Sequence, residues 1–145
     1  MSSDAASEVA AKPEAKVFTF PIRVYYEDTD AGGVVYNANY LKFLERGRTE
    51  WLRALGYSQD KIIQEMAIGF LVASINIQYK RAARLDDELI VTVAIAERKR
   101  FSLTFGQTIV YKNDPSMIIV KADVQVACVD LKLLKPRPLP EFVDL

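Results

Sequence analysis

The chain has 145 residues, 50% hydrophobic and 26% charged, which fits one globular domain with enough length to bury a core. Nineteen basic residues balance nineteen acidic ones, so no net field draws the protein to nucleic acid or to an anionic membrane. A single cysteine excludes an intrachain disulfide and a thiolate zinc cluster, and the absence of histidine removes Ser-His-Asp and Cys-His catalysis, histidine-ligated metals and histidine pH switching.

Residues 1–16 are small and polar, with Asp4, Glu8 and Glu14 against Lys12 and Lys16. They read as a disordered tail ahead of one domain over 17–145. They lack the apolar run of about 7–15 residues that a signal peptide needs. No stretch reaches the roughly 18 apolar residues of a membrane span. The expected location is cytoplasmic, with no membrane span and no nucleic-acid partner.

Alternation over Phe18–Tyr26 predicts a half-buried strand with Phe20, Ile22, Val24 and Tyr26 on one face. Glu27-Asp28-Thr29-Asp30-Ala31-Gly32-Gly33 interrupts it as a loop. A helix follows, for which Asn37 and Asn39 are both suitable N-caps. Tyr40, Phe43, Leu44, Gly47, Trp51 and Leu55 form its apolar stripe, and Gly56 supplies the stop. Gly47 within that stripe predicts close approach to a flat surface, since glycine there costs about 1 kcal/mol against alanine. A short helix is expected over Gln59–Glu65. From Gly69 the period becomes two, and strands are expected over Phe70–Tyr79, Glu88–Glu97, Phe101–Tyr111 and Met117–Asp130. Arg98-Lys99-Arg100 and Asn113-Asp114-Pro115-Ser116 read as turns, and Lys135-Pro136-Arg137-Pro138 as an extended exit. The fold class is α+β: a long helix covering one face of a five-stranded, mainly antiparallel sheet. Strands of this length leave an edge suited to pairing with a second subunit.

The stretch from Arg23 to Arg53 reads RVYYEDTDAGGVVYNANYLKFLERGRTEWLR. It resembles the Tol-Pal-associated acyl-CoA thioesterases, within the 4-hydroxybenzoyl-CoA thioesterase family of hotdog folds. Ala83-Arg84-Leu85-Asp86-Asp87, the end of the last strand at Val129-Asp130 and the Lys135-Pro136-Arg137 exit extend the likeness over about residues 18–140. The resemblance implies a hotdog fold, with the central helix wrapped by the sheet. It implies a homodimer or homotetramer with sites at the subunit interface. It also implies hydrolysis of an acyl-CoA, with acyl-carrier protein as a further possible carrier. No metal and no cofactor is expected, coenzyme A being part of the substrate.

Thioester hydrolysis needs an attacking group and a stabiliser for the oxyanion. A helix start offers unpaired backbone N–H groups, and glycines let backbone come close. By resemblance Asp30 is the catalytic carboxylate, as nucleophile or general base; Asp28 is structural support. Tyr26, Gly33, Val34, Tyr36 and Asn37 are expected to bind substrate. In the Tol-Pal-associated subgroup a histidine usually stands where this chain has Asn37, and asparagine cannot carry a proton. Three readings follow: catalysis on Asp30 alone, Asn37 as a substrate-orienting or capping group, or a non-catalytic acyl-CoA or acyl-carrier-protein binder. An interaction protein of the envelope or lipid-synthesis machinery is a further rival. Lys80, Arg81 and Arg84, with Arg98, Lys99 and Arg100, are candidates for the CoA phosphates. Glu45 and Glu50 read as a solvated face or ion pairs with Arg48 and Arg46. Cys128 shares the parity of Val124 and Val126 and reads as packing.

Overall fold

Residues that alternate β-branched with polar side chains build a sheet with one dry face. The computed structural model describes residues 16–141. Its strands are β1 (Phe18–Arg23), β2 (Ile68–Tyr79), β3 (Glu88–Arg98), β4 (Ser102–Tyr111) and β5 (Asp114–Asp130). They lie in the order β1-β3-β4-β5-β2, each antiparallel to its neighbour. Leu89, Val91 and Val93 of β3, Leu103, Phe105 and Ile109 of β4, and Val120, Val124 and Cys128 of β5 are buried. Thr92, Thr104 and Thr108, one position out of phase, are half-buried. This is the hotdog arrangement expected: five antiparallel strands around a long helix.

That helix, α1, runs over Asn39–Ala54, and a short α2 runs over Gln59–Met66. Tyr40, Phe43, Leu44, Gly47 and Leu52 face the sheet and are buried. Trp51 meets Phe105 edge-on, with ring centroids 5.2 Å apart. Gly47 makes the approach possible. A Cβ at that position would lie 2.7 Å from Val91 Cγ1 and 3.2 Å from Val93 Cγ2. At the far end, Gly56 takes φ +95° just past the last turn, where a side chain would be strained.

The structure departs from the sequence reading in three places. The first strand ends at Arg23, not Tyr26. The Val24 N–H already bonds to Asp87 O, just before β3 begins, and the chain then turns through a 3-10 turn at Tyr26–Asp28. Tyr26 is 83% exposed, so it does not share a buried face with Ile22 and Val24. Second, neither Asn37 nor Asn39 caps α1: Ala38 holds the N-cap position without a side-chain bond. Third, the β4–β5 turn is shorter than the Asn113–Ser116 segment. Tyr111 pairs directly with Asp114, and Asp114 Oδ1 accepts from the Ser116 hydroxyl at 2.6 Å, so Asp114, Pro115 and Ser116 already belong to β5. The tail expected over 1–16 lies, Lys16 apart, outside the described residues.

Cys128 is fully buried, and burial pushes its thiol above the ordinary value, against a smaller opposing effect from Arg137. Its packing role agrees with the sequence reading. Replacing Gly47 by valine should destabilise the fold by about 1–3 kcal/mol, the usual cost of forcing methyl groups into a packed contact. A denaturant midpoint unchanged from wild type would mean that α1 is not held at this distance.

Candidate functional site

The loop between β1 and α1 is folded by its own polar groups. Asp28 is 5% exposed and spends its acceptors inward. Its Oδ2 accepts the Tyr25 N–H at 2.8 Å, and its Oδ1 accepts from Asn39 Nδ2 at 2.7 Å. Its main-chain carbonyl accepts the Tyr36 N–H at 3.0 Å. Asn39, read as a possible cap, is therefore the tie between loop and helix. The next turn belongs to Asp30. Its N–H donates to Val34 O, and its carbonyl accepts the Gly33 N–H. Its Oδ1 accepts the Gly32 N–H at 2.8 Å. Gly33 supplies the φ of +79° that the reversal requires. Oδ2 of Asp30 has no hydrogen-bond partner among the described residues.

This turn delivers Asp30 to an open pocket of about 400 Å³, whose lining includes Val34, Tyr36, Asn37, Tyr79 and Arg81. Asp30, Tyr36 and Asn37 are exposed and Val34 is half-buried. At the helix start, the Asn39 N–H donates to Tyr36 O and the Leu41 N–H to Ala38 O. The N–H groups of Asn37 and Ala38 have no backbone acceptor among the described residues. Gly33, expected to bind substrate, has already given its N–H to Asp30 O. The donors left open are thus one step into the helix junction, beside the positive end of the α1 dipole.

One tyrosine from the sheet and one from the helix hold the back of this pocket. Tyr79 Oη donates to Asn37 O at 3.2 Å. Tyr40 Oη accepts the Ala83 N–H at 3.1 Å, and burial pushes its phenol above the ordinary value, the Ala83 bond opposing. Sequence reasoning had not singled out Tyr79. It ends β2, 42 residues beyond Asn37, and no local pattern marks such a contact.

The candidate residues do not all meet. Tyr26 is not part of the pocket lining. Lys80, Arg81 and Arg84 belong to the β2–β3 connection beside it: Arg81 lines the pocket, and Arg84 sits opposite Val34 in an isolated bridge. Arg98, Lys99 and Arg100 lie at the other end of β3, about 33 Å away at 3.3 Å per residue. Arg100 covers the Phe101 ring at 5.1 Å. Glu45 accepts from the Thr49 hydroxyl and Glu50 pairs with Arg53, so neither forms the ion pair considered for it. Arg48 instead donates to Gln107 Oε1 at 3.0 Å. A second cavity, of about 130 Å³, is lined by Arg48, Trp51, Phe70 and Phe105 among others. It lies two turns along α1, about 12 Å from the helix start. Glu45 borders it, but no glycine turn or open helix-start N–H does. Among the described residues no group of three or more acidic or cysteine side chains is placed to hold a metal ion. No described helix is long and apolar enough to cross a membrane.

Comparison with known proteins agrees with this fold. An acyl-CoA thioesterase of Haemophilus influenzae is 47% identical over 126 residues, covering 87% of this chain and 90% of its own. An acyl-CoA thioester hydrolase of Escherichia coli is 45% identical, covering 88% and 92%. The solved gentisyl-coenzyme A thioesterase BH1999 superposes with TM-score 0.78 at 26% identity, covering 90% of this chain and all of its own. A 1,4-dihydroxy-2-naphthoyl-CoA thioesterase from Synechocystis shares the fold, with TM-score 0.82 at 24% identity over 89% and 93% of the two chains. The model of the thioesterase-like superfamily matches residues 24–144, and the chain belongs to that family.

Proposed function

We propose that this chain hydrolyses acyl-CoA thioesters to a free acid and CoA, with Asp30 as the catalytic carboxylate. One observation carries the reading: a carboxylate oxygen without a partner and Asn37, whose backbone N–H is open, border the same pocket, and Ala38 with a second open N–H follows directly in the chain. A thioester carbonyl placed between them would receive two hydrogen bonds on its oxygen and face Asp30. Donors of this kind contribute about 3 kcal/mol each when charge develops on that oxygen. Asp30 then either attacks the carbonyl carbon, forming a mixed anhydride that water cleaves, or takes a proton from the attacking water. In both routes the C–S bond breaks, and the thiolate leaves and gains a proton. The thioester is already activated, so direct carboxylate attack or assistance from a weak base can suffice.

Val34, Tyr36 and Asn37 would line the acyl entrance, with Gly33 closing the turn. Arg81, with Lys80 and Arg84 beside it, suits the CoA phosphates. Asn37 offers an exposed amide that can donate or accept but cannot carry a proton, so Asp30 works without a proton-carrying neighbour there. Among the described residues the outer edge of β2 is unpaired by any other strand, and β2 carries Leu71, Val72 and Ile75 at 48%, 47% and 37% exposure. A second copy adding its own β2 there would give a homodimer, on which a tetramer can build. A cytoplasmic location, acyl-carrier protein as a second carrier and association with the Tol-Pal cluster complete the reading; the resemblance of the 23–53 motif supports them.

Thiol release from a panel of short, long and aromatic acyl-CoAs tests the activity. Asp30→Asn should lower kcat by about a hundredfold or more, in the range for losing a central catalytic group. CoA esters bound at the same affinity with no thiol released by wild type would leave a binding protein. Asn37→His should raise kcat if the position accepts a proton carrier, and no gain would show that Asp30 needs none. Ile75→Lys should shift the mass in light scattering to that of a monomer; an unchanged mass would place the interface elsewhere.

A further inference from the structure

The peptide that carries one of the open donors is gripped from both sides. Asn37 O and the Ala38 N–H belong to one trans peptide, so they point in opposite directions. Tyr79 Oη donates to that oxygen at 3.2 Å. A hydrogen bond accepted by a peptide oxygen both fixes the plane and polarises the N–H on its other side. The flanking residues are held by Asp28 and by each other: its main-chain oxygen takes the Tyr36 N–H, its carboxylate takes Asn39 Nδ2, and the Asn39 N–H donates to Tyr36 O. The donor pair Asn37–Ala38 therefore sits between two anchors on one buried acid, and that acid is two residues from Asp30. Asp28 is buried and accepts on both carboxylate oxygens, so its own carboxylate has no place in the chemistry. The Tyr79 ring is 48% exposed and tilts against Tyr40 at 5.9 Å, which fixes where its hydroxyl sits.

We propose that Tyr79 and the Asp28–Asn39 pair are positioning residues for the oxyanion site, holding the Tyr36–Ala38 segment so that the N–H groups of Asn37 and Ala38 face the carbonyl opposite Asp30. This rests on the thioesterase reading and adds to it the residues that aim its donors. None of the three touches the reacting atoms. Each acts through the peptide it holds, so its loss is felt in the transition state, where charge on the oxygen is greatest, and little in substrate binding.

Two measurements on the full chain test this. The first is steady-state thiol release with melting temperatures. Tyr79→Phe and Asn39→Ala should each lower kcat about tenfold, below the cost of deleting a donor outright. KM should stay within about twofold. Tyr79→Phe should melt as wild type does, because its ring is retained. Asp28→Asn should keep kcat near wild type. The Asn39 amide can turn over to accept from the new amide, preserving the tie. The second measurement is the carbon-13 shift of a carbonyl-labelled acyl-CoA ketone in which a methylene replaces sulfur. Wild type should move it downfield, and Tyr79→Phe and Asn39→Ala should recover part of that movement. Wild-type turnover, with kcat and the carbonyl shift both unchanged in Tyr79→Phe and Asn39→Ala, overturns the inference and leaves the hydrolase reading intact. A shifted ketone that relaxes in those variants, without wild-type turnover, overturns the hydrolase reading and keeps the inference. A ketone that wild type does not shift overturns the inference, whatever the turnover.

Discussion

The contact between Gly47 and the methyl groups of Val91 and Val93 sets the geometry of everything else in this chain. A side chain at position 47 would meet Val91 at 2.7 Å, so only glycine lets α1 lie this close to the sheet. Glycine in a helix costs about 1 kcal/mol against alanine. Burying Tyr40, Phe43 and Leu44 on the same face returns about 1.5–3 kcal/mol for each, so packing outweighs propensity. The consequence is positional. With the middle of α1 seated on β3, its first turn must end beside the end of β2 and the β2–β3 connection. Tyr79 and Ala83 are there to receive it. A helix standing a few ångströms higher would break both contacts and leave its open N–H groups facing solvent with nothing to aim them.

The site itself is economical in charge. Its pocket lining brings together one acid, Asp30, and one cation, Arg81, and backbone supplies the electrophilic side. Such a site suits a substrate whose carbonyl is already reactive. Hydrolysis of an amide would ask for a strong general acid for the leaving group, and this chain has no histidine to act as one. A thiolate leaves without such help, so donors at the oxyanion and a carboxylate cover the requirement.

Much of the fold was legible because it is written in period. The switch from spacing of three and four to spacing of two at Gly69, the helix stop at Gly56 and the role of Gly47 each follow from local chemistry, and each is found. The parity of Cys128 with Val124 and Val126 placed it correctly in the core. What escaped the sequence was hydrogen bonding over distance. Asn37 and Asn39 have the right chemistry for capping, but Asn39 has a better acceptor in Asp28, eleven residues back, which local rules do not weigh. Tyr26 fits the alternation of β1, yet the strand has no further partner once Val24 has bonded to Asp87. In the site, Asp30 and the two glycines stood out as a loop with unusual composition, whereas Tyr79 is one aromatic among several ending a strand.

The same logic explains why the two basic clusters part company. In sequence, Lys80–Arg84 and Arg98–Arg100 are equivalent: each is a short cationic run beside a strand. Topology separates them, because β3 carries the chain from one end of the sheet to the other between them. The first cluster follows directly on Tyr79, the residue that touches the helix start, and its Arg81 lines the pocket together with Asp30. The second cluster is bound into its own end of the sheet, where the Arg100 carbonyl accepts the Leu139 N–H of the chain exit. Within one chain, only the first cluster shares an end of the sheet with α1's first turn and the Asp30 pocket, and that placement is the reason for proposing it, and not Arg98–Arg100, as the partner of the CoA phosphates.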